Sequence, residues 1–129
     1  EEVKKFQAWE ETASKKLEAS FDAVGAASAT SNATETEAAV AAFDKQAAEN
    51  VAELEALGIK TEEVSPLVSM YKEYVDAEKE VVQLILSQVK SPSLDNAGKV
   101  PEAVAKANQK DDAIDKLADQ LEEKFPSEE

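Results

Sequence analysis

The chain contains no cysteine, no histidine and no arginine, and only three glycines, four prolines and one tryptophan in 129 residues. Each absence excludes something. Without cysteine there is no disulfide framework, no thiolate metal site and no cysteine nucleophile. Without histidine there is no Ser-His-Asp triad, no zinc hydrolase motif and no Glu-x-x-His di-iron site. Three scattered glycines cannot build a phosphate-binding loop. The segment Asp95-Asn96-Ala97-Gly98 lacks the alternating ligands of a calcium-binding EF-hand. No run of about 18 apolar residues is present, so no direct membrane insertion is expected.

Positive charge is also scarce, with 14 lysines against 28 acidic residues and a net charge of −14. A nucleic-acid binder needs a basic face to displace counterions from phosphates, so that class is excluded as well. Of the common catalytic chemistries only those of carboxylate, lysine or tyrosine remain, and the chain is expected not to be an enzyme. No cofactor and no metal is expected.

What is present is helix-forming. Hydrophobic residues make up 43% of the chain, with alanine prominent, and this length fits one domain with one core. Apolar positions at steps of three and four define four amphipathic segments, approximately 2–24, 34–57, 61–89 and 101–125. The first carries Val3, Phe6, Trp9, Ala13, Leu17, Phe21 and Val24, with Gly25 as its stop. The second opens on a capping box, Thr34 to Glu37, carries Val40, Phe43, Ala47, Val51, Leu54 and Leu57, and ends at Gly58. The third starts at Thr61, or at Pro66 with Ser65 as cap. The fourth opens at Pro101, carries Ile114, Leu117, Leu121 and Phe125, and stops at Pro126. Polar stretches 26–33 and 91–100 are read as loops. The predicted fold is all-α, a single four-helix antiparallel up-down-up-down bundle spanning 1–129.

Glu78 breaks the pattern, because it falls on the apolar face of the third segment, between Tyr74 and Val82. A carboxylate there must be paired, protonated or hydrogen-bonded. Aligning the third and fourth segments as a hairpin sets Glu78 opposite Lys110 and Asp111. Three readings follow. Lys110 forms a partly buried ion pair with Glu78, or Glu78 and Asp111 converge as carboxylates for a cation or polar ligand, or Glu78 reaches the surface at a helix seam. Tyr71 and Tyr74 either fill the space left by Ala13 and Ala47 or line a small internal pocket with Glu78. Trp9 reads as a half-buried core residue or a partner anchor. Asn32-Ala33-Thr34 matches the N-glycosylation pattern, which matters only in a secreted eukaryotic protein.

In composition alone, without a motif, the acidic and alanine- and lysine-rich chain is similar to the extracytoplasmic part of a bacterial surface protein or lipoprotein. The chain opens inside a helical pattern at Glu1, which suggests a mature or trimmed product. The expected function is that of a non-enzymatic interaction or structural domain, extracytoplasmic, with a protein partner. The alternative is the ligand-sensing external bundle of a membrane receptor, with its polar site at Tyr71, Tyr74, Glu78, Lys110 and Asp111.

Overall fold

The computed structural model describes residues 2–124, which form α1 (Glu2–Ala29), α2 (Ala33–Ala56), α3 (Pro66–Lys90) and α4 (Leu94–Lys124). No strand occurs among the described residues. One hydrophobic cluster draws on every helix: Phe6, Leu17 and Val24 from α1, Phe43 and Leu54 from α2, Leu67, Tyr71 and Val82 from α3, and Ile114 from α4. Val64, in the α2–α3 connection, closes one end of it. Each such side chain contributes about 1.5–3 kcal/mol when removed from water.

Consecutive helices pack on one another, whereas α1 meets α4 only sparsely. Exposed pairs mark the seams, Lys90–Glu37 and Lys72–Glu55 between α2 and α3, Lys106–Glu80 and Lys110–Glu73 between α3 and α4. At the start of α1, the Glu2 carboxylate accepts the amides of Lys60 at 3.0 Å and Thr61 at 2.8 Å. Those amides hold its pKa below the ordinary range.

The helix boundaries depart from the sequence reading at several points, each for a local reason. Gly25 does not stop α1, which continues through the alanines at 26, 27 and 29. Strong helix formers on both sides outweigh the roughly 1 kcal/mol that an interior glycine costs. The turn comes at Ser31, in the left-handed region at φ 56. Asn32, not Thr34, caps α2, its side chain accepting from the Glu35 amide at 3.0 Å. Thr36 is buried, with its hydroxyl donating to the Asn32 carbonyl at 2.8 Å. Gly58, with φ 68, follows the end of α2 as expected.

Of the two starts read for α3, Pro66 with Ser65 before it is the one that forms, and Thr61–Ser65 is a turn. Nor does α4 open at Pro101; it begins at Leu94, and Pro101 lies inside it. The Ser93 hydroxyl accepts the Asn96 amide at 3.0 Å and so seeds the helix one loop earlier. Pro101 is exposed and leaves the Ala97 carbonyl without its usual donor, so it is carried at a cost. The loops read at 26–33 and 91–100 shrink to residues 30–32 and 91–93. The readings at Phe125 and Pro126 lie outside the described residues.

Candidate functional site

The α3 stripe turns its most buried edge toward Tyr71, Val75 and Val82, leaving Tyr74 and Ile85 half-buried beside it. Tyr71 is fully buried, and Asn50 of α2, buried as well, donates to its hydroxyl at 3.1 Å. The same Asn50 amide donates to the Ala13 carbonyl at 3.0 Å, and its oxygen accepts from Gln46 at 2.8 Å. Burial pushes the Tyr71 hydroxyl up to about 12. Trp9 packs edge-on to Tyr71 at 4.9 Å and donates its indole N–H to Glu53 at 3.2 Å. The tryptophan is thus half-buried, with its polar edge satisfied inside the chain.

One turn further along α3, Tyr74 and Glu78 share a hydrogen bond, i to i+4 on the same face. Burial raises the Glu78 pKa, the Tyr74 hydroxyl opposes that, and the nearby Asp111 carboxylate adds to it. The structure therefore brings Tyr74, Glu78 and Asp111 together. Lys110 goes elsewhere: its Nζ lies 3.4 Å from Glu73 Oε1, on the outer α3–α4 seam. A lysine adjacent to Asp111 in sequence points about 100° away around the helix, which is why only one of the two can face Glu78.

Replacing Lys110 by methionine is accordingly expected to cost under about 1 kcal/mol, because its partner Glu73 is mostly exposed. Urea denaturation at neutral pH measures this. A loss several times larger would mean that the lysine compensates Glu78 after all.

A second group of acids meets at the sparse α1–α4 seam. One carboxylate oxygen from each of Glu10, Asp111 and Asp115 lies within 4.8 Å of the others. Burial, then Asp115 and Asp111, raise the Glu10 pKa from 4.5 to about 7. Asp111 and Asp115 are raised too, first by burial and then by neighbouring aspartates. Three carboxylates supply only part of the six to eight oxygens that Ca²⁺ takes. The sequence reading missed Glu10 and Asp115. The signal was available for Glu10, which stands seven residues before Leu17 and seven after Val3, on the line of the α1 stripe.

Asp111 also borders a cavity of about 410 Å³ between the helices. Leu17, Phe21 and Phe43 form its apolar lining, and the two rings meet edge-on at 6.1 Å. Its polar lining comes from Ser14, Glu18 and Asp22 of α1, Tyr74 and Glu78 of α3, and Asn108 and Asp111 of α4. Glu78 and Asp111 are half-buried, and no ion pair reaches either among the described residues. Chemically the cavity offers oxygen acceptors beside apolar side chains.

No helix among the described residues is long and apolar enough to cross a membrane. No curated protein and no solved structure gives a significant match to the chain. A family model does match, over residues 1–126, and the chain accordingly belongs to the family described as Uncharacterised lipoprotein PM1805.

Proposed function

We propose that the chain is a non-enzymatic helical domain of a lipoprotein that works outside the cytoplasm, through contacts with a protein partner or as a structural module. Membership of a lipoprotein family over residues 1–126 carries this reading. Support comes from the catalytic menu, which lacks histidine and cysteine altogether. An up-down-up-down course of the four helices belongs to the same reading. It is supported by the pairs Trp9–Glu53 and Asn50–Ala13, Lys90–Glu37 and Lys72–Glu55, and Lys106–Glu80 and Lys110–Glu73. In each set, rising numbers in one helix meet falling numbers in the next.

The test is to express the full gene product in a bacterium fed labelled palmitate and to fractionate the cells. Label on the protein and recovery with the envelope are expected. Unlabelled protein confined to the cytosol would overturn the reading.

A second reading, a bundle that senses a small ligand, is favoured by one observation: the cavity of about 410 Å³ beside Tyr74, Glu78 and Asp111. Its volume falls in the range of about 300–1,000 Å³ usual for small-molecule sites.

A further inference from the structure

We propose that the α1–α4 seam is a proton-operated latch, closed while Glu10, Asp111 and Asp115 hold protons among them and parted once all three are ionised, with α4 staying on α3.

The two flanks of α4 carry opposite charge. Toward α3 it presents lysines: Lys106 and Lys110 pair with Glu80 and Glu73, and Lys124 with Glu63 just ahead of α3. Toward α1 it presents Asp111 and Asp115, one turn apart, and α1 meets them with Glu10. A carboxylate oxygen of each lies within 4.8 Å of the other two, and among the described residues no ion pair crosses this seam. Neighbouring lysines point elsewhere. Lys116 lies about 200° round α4 from the buried Ile114, and Lys15 about 200° round α1 from the buried Ala13, so both stand on outer faces. Lys16 shares the flank of Trp9, which bonds to Glu53 of α2. From α3 the titratable groups beside the cluster are Tyr71 and Glu78, neither of them cationic.

Three carboxylates this close repel one another when all are ionised, and the half-burial of Glu10 and Asp111 removes part of the water that would screen them. A retained proton relieves the repulsion and lets one carboxyl donate to another. Burial and the two aspartates raise Glu10 from 4.5 to about 7. The closed seam is therefore favoured in acid and loses that advantage as pH rises through about 7. Little else holds this seam. Contact between α1 and α4 is sparse, whereas α4 packs extensively on α3 and is tied to it by the lysine pairs. The cavity of about 410 Å³ lies on the same seam, so parting opens the side of the bundle that holds Tyr74 and Glu78.

The chain has no cysteine, so engineered pairs take spin labels only at chosen sites. Ala19→Cys with Ala105→Cys spans α1 and α4, and Ala19→Cys with Ala42→Cys spans α1 and α2, all at exposed positions. Pulsed electron–electron resonance at about pH 5 and about pH 8, either side of the Glu10 titration, reads both distances. The α1–α4 distance is expected to lengthen by about 5 Å or more, roughly half a helix–helix spacing, while the α1–α2 distance holds. Adding Glu10→Gln and Asp115→Asn to the α1–α4 pair should keep the acid distance in alkaline solution, with circular dichroism to establish that the variant is folded. An α1–α4 distance equal at both pH values overturns the proposal, whatever the charge variant does. Lengthening of both pairs together reports a general loosening of the bundle and overturns it too. So does an α1–α4 change that persists in the charge variant, because the repulsion then lies outside the cluster.

Discussion

Replacing Asn50 by alanine is expected to destabilise the fold by about 2–4 kcal/mol. Asn50 is fully buried and makes three hydrogen bonds, to the Ala13 carbonyl, the Tyr71 hydroxyl and the Gln46 amide. Truncation leaves a void and strands the Tyr71 hydroxyl in a core that offers it no water. The Ala13 carbonyl suffers less, since its helical partner remains. An orphaned buried group costs about 1–3 kcal/mol, and the lost packing adds to it. Asn50→Leu should cost less than Asn50→Ala, because the void is filled. The pair Asn50→Leu with Tyr71→Phe should recover much of the remaining loss by removing both partners together. Chemical denaturation of the single and double variants supplies the cycle. If the double variant is no better than the sum of the singles, the hydrogen bond does not couple α2 to α3.

The second expected result is a stability that falls as pH rises from about 4.5 to about 7, with Glu10 as its main source. Its folded pKa is raised, so the folded state binds that proton more tightly than the unfolded chain does. Below pH 4.5 both states are protonated and Glu10 contributes no difference. Through the window the folded protein must hold a carboxylate that Asp111 and Asp115 repel. Above about 7 the penalty is complete. Glu10 retains partial access to water, so the expected loss is about 1–2 kcal/mol after allowance for screening. Glu78, Asp111 and Asp115 shift in the same direction and add to the slope. Glu2 shifts the other way, and its contribution disappears only in more acidic solution. Glu10→Gln should flatten the profile and exceed the parent in stability at pH 8. Melting temperatures of parent and variant from pH 4.5 to 8 measure this. Parallel profiles would mean that Glu10 is solvated at the α1–α4 seam.

Both results turn on polar residues that occupy core positions in the helical pattern. Asn50 stands three residues after Ala47 and four before Leu54, and Glu10 stands four after Phe6 and three before Ala13. A reading that collects only apolar residues passes over both and takes their neighbours Val51 and Trp9 instead. Glu78 was legible because Tyr74 and Val82 flank it one turn away on either side. Its carboxyl neighbour was legible only as an alternative, since a hairpin alignment accurate to one residue cannot choose between Lys110 and Asp111.

The number and type of the helices are written in the sequence, because alanine content and three-four spacing are local properties that need no partner. The stop at Gly58 and the start at Pro66 are local for the same reason. The absences of cysteine, histidine and arginine are likewise read directly from the sequence. Other points were decided by competition or by the packed bundle. Gly25 and Pro101 are helix breakers by propensity, yet both lie inside helices, α1 among alanines and α4 behind the cap at Ser93. Thr34 lost the cap to Asn32 two residues earlier. Glu10, Asp111 and Asp115 meet only after α1 and α4 are set side by side, and the cavity beside Glu78 exists only when all four helices close around it. Spacing along one helix says which residues share a face; which face meets which is settled by packing, where a rotation of one residue, about 100°, exchanges a lysine for an aspartate.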